Sequence, residues 1–211
     1  MQITLIDVGK RFNRQWIFKG IDTTFEENKS YALVGNNGSG KSTLLQLIYN
    51  YQTISKGQIL YEFDQHRLEE NDLIHKIAFA APYLELIEEF SLNEMLRFHF
   101  DFLPKLPGTS LHEMITDAGL AGNENKQIRY FSSGMKQRLK LVLALFSDTP
   151  LLLLDEPCSN LDEQGIAWYR KIIQEQSGKR TIIIASNQLF EYDFCDTVLN
   201  ITYFKPLPNP Q

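Results

Sequence analysis

The sequence predicts an α/β fold with a mainly parallel sheet, and three observations support this prediction. Short apolar runs alternate with segments of helical periodicity, as in parallel strands joined by crossover helices. Residues 151–154 are four consecutive leucines, which is typical of a strand buried on both faces. A glycine-rich segment, residues 35–43, lies between a predicted strand and a predicted helix. Together these features indicate strands and helices that alternate around one sheet.

Composition describes an ordinary globular chain of 211 residues, with 43% hydrophobic and 22% charged residues. The net charge of −5 gives no basic surface for a nucleic-acid backbone, so no nucleic-acid partner is expected. Two cysteines, Cys158 and Cys195, are too few for a disulfide framework. The first residues lack a basic segment followed by an apolar run, so no signal peptide is expected.

The first part of the chain is expected to be rich in strands. A polar stretch, residues 10–14, is expected to form the turn between the first two strands, and residues 55–57 are expected to form a second turn. The dipeptide Ala81-Pro82 is expected to end a short strand, because proline disfavours a continuing ladder. The predicted elements are strands at 3–8, 16–25, 30–34, 58–63 and 76–80, and a helix at 41–48.

Two capping-box sequences, beginning at Ser91 and Ser110, each predict the start of a helix. We therefore expect one domain, residues 1–211, with a core of about 1–82 and 132–204 and a helical insert at about 83–131. The proline-rich tail, residues 205–211, is expected to be poorly ordered. The remaining predicted elements are helices at 133–146, 162–176 and 188–194, and strands at 151–154, 181–185 and 197–202.

The glycine-rich segment fits the phosphate-binding pattern G-x-x-x-x-G-K-[ST] at every fixed position. Its glycines allow backbone N–H groups to surround an anion, and the helix N-terminus after it favours negative charge. Lys41 can reach the β- and γ-phosphates, and the Ser42 hydroxyl can ligate Mg²⁺. A purine nucleoside triphosphate and Mg²⁺ are thus the expected ligands. The expected contact residues are Gly35, Asn36, Asn37, Gly38, Ser39, Gly40, Lys41, Ser42 and Thr43.

Two acidic residues, Asp155 and Glu156, follow the four leucines directly. A carboxylate at the end of a buried strand, downstream of a phosphate loop, is suited to holding Mg²⁺ through its water shell. We assign this role to Asp155. Glu156 is the candidate general base that polarises the attacking water, and Lys41 is its catalytic partner on the phosphates.

The segment Phe131-Ser132-Ser133-Gly134-Met135 resembles the L-S-G-G-Q signature of ATP-binding cassette (ABC) ATPases. It has the order and approximate spacing of that family relative to Lys41 and Asp155, and Ser159-Asn160-Leu161-Asp162 resembles the family's D-loop. The resemblance implies a P-loop NTPase core with an N-terminal antiparallel β subdomain and a helical subdomain. The basic residues Lys136, Arg138 and Lys140 are expected to form a solvated helix face.

The resemblance also implies functional roles. Such domains form head-to-tail homodimers with ATP between the phosphate loop of one copy and the signature of the other. The signature residues acting in trans would be Ser132, Ser133, Gly134 and Met135, and Asp162 would shape the dimer interface. From the residues alone, Phe12 is equally a packing aromatic or a stacking platform, and the resemblance favours stacking on adenine. It further implies separate membrane permease subunits and a location at the cytoplasmic face of the membrane.

Four positions depart from the family pattern. Ser133 and Met135 replace glycine and glutamine of the signature, Ala81 or Pro82 stands where a Mg²⁺-binding glutamine is usual, and Asn187 stands in place of the switch histidine. Asparagine can donate a hydrogen bond but cannot exchange a proton near neutral pH. Three functions therefore stay open: a hydrolysing transporter subunit, an ATP-binding regulator with very weak hydrolysis, and a non-transport ABC ATPase.

Overall fold

A computed structural model describes residues 1–206. Within them, an antiparallel sheet has the strand order β2-β1-β4-β5, and a parallel sheet has the order β6-β7-β8-β3-β9. The predicted α/β fold with a mainly parallel sheet is thus confirmed. Residues 207–211, most of the predicted tail, lie outside the described residues. The strands are β1 (Gln2–Phe12), β2 (Gln15–Phe25), β3 (Ser30–Val34), β4 (Lys56–Phe63), β5 (His66–Arg67), β6 (Ile77–Ala80), β7 (Leu151–Asp155), β8 (Thr181–Ala185) and β9 (Thr197–Asn200).

Both capping boxes form as predicted. The hydroxyls of Ser91 and Ser110 accept from the Glu94 and Glu113 N–H groups at 3.3 and 3.1 Å, and each glutamate accepts from its serine N–H in return. In the part of the chain described, no helix is both long and apolar enough to cross a bilayer. The helices are α1 (Lys41–Ile48), α2 (Leu92–Phe102), α3 (Leu111–Asp117), α4 (Ser133–Leu145), α5 (Glu163–Gln176) and α6 (Leu189–Tyr192).

The parallel sheet is buried on both faces, as the four leucines of β7 predict. Leu152 and Leu154 pack with α2–α5, whereas Leu151 and Leu153 pack with α1 and the antiparallel sheet. All four side chains are fully buried, and burial of each contributes about 1.5–3 kcal/mol. This packing fixes β7 between its neighbours β6 and β8.

One predicted turn is shorter than expected, and a second is wrong. Residues 10–12 belong to β1, because they pair with Gln15–Phe18 of β2, so only residues 13–14 form the turn. The Lys10 ammonium is buried and donates to the Thr53 carbonyl at 2.7 Å. Gly57 lies inside β4 at φ +82°, where a Cβ would approach the Ile6 carbonyl oxygen to 2.3 Å. That glycine permits close approach to a bulge in β1 rather than marking a turn.

The last strand and the last helix are shorter than predicted. β9 ends at Asn200, whose Oδ1 accepts from the Thr202 N–H at 3.0 Å and caps a 3₁₀ turn, Ile201–Phe204. The helix expected at 188–194 is confined to α6. Both differences follow from side-chain caps and turns at element ends, which periodicity does not report.

Candidate functional site

The phosphate loop connects β3 to α1 at the carboxyl edge of the parallel sheet. Gly40 forms the N-cap of α1 at φ +103°, and a Cβ there would approach Ile17 Cγ2 to 2.6 Å and Phe18 Cδ1 to 2.8 Å. Only glycine fits this left-handed position against β2. Asn36, Asn37 and Gly38 are exposed, so the loop's outer rim is open to a ligand.

Lys41 is nearly fully buried at the start of α1, and its Nζ donates to the Gly35 carbonyl at 2.7 Å. Burial lowers the pKa of Lys41, and the nearby carboxylates of Glu156 and Asp155 oppose that shift. The structure therefore brings the predicted lysine and both predicted acids together. Ser42 and Thr43 follow in the first turn of α1.

Asp155 ends β7 with its side chain 2% exposed, and neither carboxylate oxygen has a hydrogen-bond partner among the described residues. Burial raises its pKa, while the facing hydroxyls of Ser42 and Tyr83 and the charge of Lys41 lower it. The two hydroxyls face the carboxylate without reaching good hydrogen-bond geometry. An unpaired buried carboxylate is unfavourable without a cation, so these residues fit the Mg²⁺ implied by the sequence.

Glu156 adopts φ +43°, an uncommon conformation for a residue other than glycine, which costs about 1 kcal/mol or more. Its N–H donates to the Ala185 carbonyl at 2.8 Å, which ties the turn after β7 to the end of β8. The carboxylate is exposed and accepts from the Ser159 hydroxyl at 3.4 Å. This backbone aims the predicted base away from the core and toward the cavity beside the phosphate loop.

Asn187, the predicted switch residue, contacts the phosphate loop directly. Its Nδ2 donates to the Asn37 side-chain oxygen at 2.7 Å. These two residues and Glu156 line a polar cavity of about 510 Å³. The structure thus places the altered switch, the loop rim and the predicted base around one space that can accept a phosphate.

The sequence analysis missed Glu191, a buried acid of α6 that lines the same cavity. Its Oε1 accepts from the Cys158 N–H at 2.7 Å, and burial raises its pKa. It links the helix after Asn187 to the segment after Glu156. A single glutamate in a short helix gives no motif by which sequence could have identified it.

Three of the four signature residues, Ser132, Gly134 and Met135, line a separate cavity of about 440 Å³, together with Asp162. Ser132 caps α4 by accepting from the Met135 N–H at 3.2 Å, and Met135 packs partly against the core. Ser133 is exposed, and a Cβ at Gly134 would approach the Asn160 carbonyl oxygen to 2.9 Å. No lining residue is shared with the cavity at Glu156. Within one chain, the signature and the phosphate loop are therefore apart.

The prediction of a solvated basic face on α4 is wrong. Arg138 donates to Asp162 Oδ1 at 2.5 Å and to the Ala118 carbonyl at 2.8 Å. Lys140 donates to the Pro82 carbonyl at 2.5 Å, and Lys136 pairs with Glu88. Because α4 runs between the insert, the loop after β6 and the segment before α5, its basic side chains bind those segments instead of water.

Phe12 ends β1 and is 46% exposed, with the Lys10 ammonium 5.0 Å from its ring centroid. In the β1–β2 ladder, Lys10 pairs with Phe18, which is the residue that contacts Gly40 of the phosphate loop. Phe12 thus lies two residues beyond that contact, toward the hairpin tip. Its exposed ring remains a candidate for stacking on a purine.

The comparisons with known proteins agree with this arrangement. A family model described as ABC transporter matches residues 18–159. The uncharacterised ABC transporter ATP-binding protein YybJ of Bacillus subtilis is 27% identical over 95% of this chain and 93% of its own. The energy-coupling factor transporter ATP-binding protein EcfA1 of Thermotoga maritima is 30% identical over 96% and 79%. A bacterial ABC transporter cassette solved as a dimer has a TM-score of 0.76 at 22% identity, covering 95% of each chain. The chain therefore belongs to the ABC transporter family of ATP-binding proteins.

Proposed function

We propose that this chain binds and hydrolyses ATP to power an ABC transporter, as a homodimer with separate membrane subunits. The observation that carries the proposal is the carboxyl end of β7. There a buried, unpartnered Asp155 faces Lys41 and Ser42, and a strained Glu156 lies beside it. Such strain at a cavity is typical of functional residues. A buffered phosphate-release assay that compares wild type with Glu156→Gln tests hydrolysis directly.

The residues divide the chemistry among them. The loop N–H groups and the Lys41 ammonium bind and orient the triphosphate, and Glu156 takes a proton from the attacking water. Ser42 and Asp155 would hold Mg²⁺, which when bound neutralises charge on the phosphates. Asn187 orients the terminal phosphate through its neutral amide, which already contacts Asn37. Phe12 stacks on the adenine ring.

Dimerisation follows from the separation of the two cavities. Ser132, Ser133, Gly134 and Met135 do not line the space beside Glu156 in their own chain, so we assign them to the nucleotide of a second copy. The N-terminus of α4 offers N–H groups and a favourable dipole to that nucleotide's γ-phosphate. Asp162, fixed by Arg138, shapes the contact between copies.

Coupling to membrane subunits is assigned to the helical insert, residues 83–131. Its surface exposes Phe98 and Phe102, whose ring centroids lie 5.2 Å apart, and also Tyr130. Permease subunits at the cytoplasmic face of the membrane are the proposed partners. Residues of about 1–82 and 132–204 form the ATPase core of the same domain.

A second candidate is a regulatory subunit that binds ATP but hydrolyses it very slowly. The loop after β6 has Ala81 and Pro82 where the family's glutamine is usual, and Asn187 replaces histidine. Both changes alter the surroundings of the γ-phosphate without removing Lys41 or Glu156. Turnover, rather than ATP binding, therefore separates the two candidates.

Asn187→His is expected to raise turnover about fivefold and to create a step in rate between about pH 6 and 7. The reason is that a charged imidazole makes stronger hydrogen bonds to phosphate than a neutral amide, and it titrates near pH 6.5. Wild type should show slow, Glu156-dependent hydrolysis without a step assignable to this position. The measurement is phosphate release against pH.

Gln188→His serves as the matched control, because it adds the same group one residue away in the same cavity. We expect this control to lack the new step. If wild type hydrolyses ATP no faster than Glu156→Gln, the regulatory subunit becomes the better description. An Asn187→His profile identical to wild type would show that the residue is not the switch equivalent.

A further inference from the structure

We propose that Tyr83 is a positioning residue for the Mg²⁺ nucleotide: its neutral hydroxyl stands beside Asp155 and hydrogen-bonds the water shell of the cation held there. The proposal rests on the proposed function and deepens it. It assigns a polar group to the side of the site where the loop after β6 has Ala81 and Pro82 and no glutamine.

The loop that carries Tyr83 is held firmly by its neighbours. The Leu84 N–H donates to the Ala81 carbonyl at 3.2 Å, which closes a turn around Pro82 and Tyr83. Lys140 of α4 donates to the Pro82 carbonyl at 2.5 Å and anchors the turn from the other side. The tyrosine ring is therefore presented from a fixed backbone.

Aromatic packing then directs that ring toward α1 and β7. Tyr83 makes an edge contact with Phe79 of β6, with ring centroids 6.3 Å apart. Phe79 in turn packs on Tyr49 at the end of α1, at 5.1 Å. The ring remains 45% exposed, so its hydroxyl lies at the border between the core and the open site.

Two polar groups meet the hydroxyl at that border. The Asp155 carboxylate faces it as an acceptor, and the Gln46 amide of α1 faces it as a donor. Gln46 is itself oriented, because its Oε1 accepts from Gln52 Nε2 at 2.5 Å. The loop after β6, which has no glutamine, thus brings a tyrosine hydroxyl beside Asp155, and a glutamine of α1 faces that hydroxyl.

The chemistry of the hydroxyl suits this place. Lys41 provides one positive charge for two acidic side chains, Asp155 and Glu156, so a third negatively charged side chain, such as a tyrosine phenolate, would be unfavourable there. A tyrosine phenol is ordinarily neutral at physiological pH, and burial raises the pKa of Tyr83 further. A neutral hydroxyl can both donate and accept, as required for contact with coordinated water.

Calorimetry in a Glu156→Gln background, where hydrolysis is blocked, tests the proposal without an activity readout. We compare Tyr83→Phe with Tyr51→Phe, which removes an equally aromatic hydroxyl close to Tyr83 but not assigned to Asp155. ATP is titrated once with Mg²⁺ and once with EDTA. Tyr83→Phe is expected to weaken Mg²⁺-ATP binding about threefold to tenfold and to leave metal-free ATP binding unchanged. Tyr51→Phe should change neither.

The assignment of Tyr83 would be overturned if Tyr83→Phe changed ATP affinity equally with and without Mg²⁺, or in neither case. It would also be overturned if Tyr51→Phe lost the same affinity. The proposed function would stand in each of these cases. Binding of no ATP by the background protein would overturn the proposed function and this inference with it. Thermal unfolding of each variant checks that the fold is retained. We expect it to be retained, because Tyr83→Phe keeps the ring that contacts Phe79.

Discussion

Lys41→Ala is expected to weaken Mg²⁺-ATP binding at least about 100-fold. The ammonium is buried against the Gly35 carbonyl and faces Asp155 and Glu156, so its removal leaves two acids beside the triphosphate. Charge-assisted hydrogen bonds to phosphate contribute about 1.5–3 kcal/mol, and the added repulsion acts in the same direction. Isothermal titration of ATP with Mg²⁺ gives the affinity.

Lys171→Ala is the matched control for that experiment, because it removes an exposed positive charge from α5. We expect the affinity of Lys171→Ala for Mg²⁺-ATP to equal that of wild type. An affinity of Lys41→Ala within threefold of wild type would refute the phosphate-loop assignment.

Glu156→Gln is expected to lower hydrolysis at least about 100-fold while ATP remains bound. General-base catalysis contributes about 10²- to 10⁴-fold, and glutamine cannot accept the proton. The fold should persist, because the Glu156 side chain is exposed and its strained backbone is held by the hydrogen bond from the Glu156 N–H to the Ala185 carbonyl, neither of which the substitution changes. Single-turnover phosphate release measures the chemical step.

Glu163→Gln is the control, since Glu163 is an exposed acid in the first turn of α5. It should hydrolyse ATP at the wild-type rate. Retention of more than a tenth of wild-type turnover by Glu156→Gln would remove this residue from the role of base.

Sequence reasoning succeeded where a few neighbouring residues determine the outcome. The phosphate loop, both capping boxes and the buried leucine strand depend on contacts within a few positions, so their patterns are readable. The α/β fold follows from the order of those elements.

The errors and omissions depend on contacts between distant segments. The first turn is shorter than predicted because residues 10–12 pair with β2, and buried Lys10 donates to Thr53, 43 residues away. Arg138 was assigned to solvent because its partner Asp162 belongs to another element. Tyr83 was overlooked because the sequence shows a missing glutamine, not the hydroxyl that the fold places beside Asp155.

The central claim is that two copies of this chain close around ATP. Light scattering of Glu156→Gln tests it most directly, because blocked hydrolysis preserves the closed state. We predict the monomer mass without nucleotide and about twice that mass with saturating Mg²⁺-ATP, as expected of a two-fold assembly. A monomer mass at saturating Mg²⁺-ATP would contradict the account.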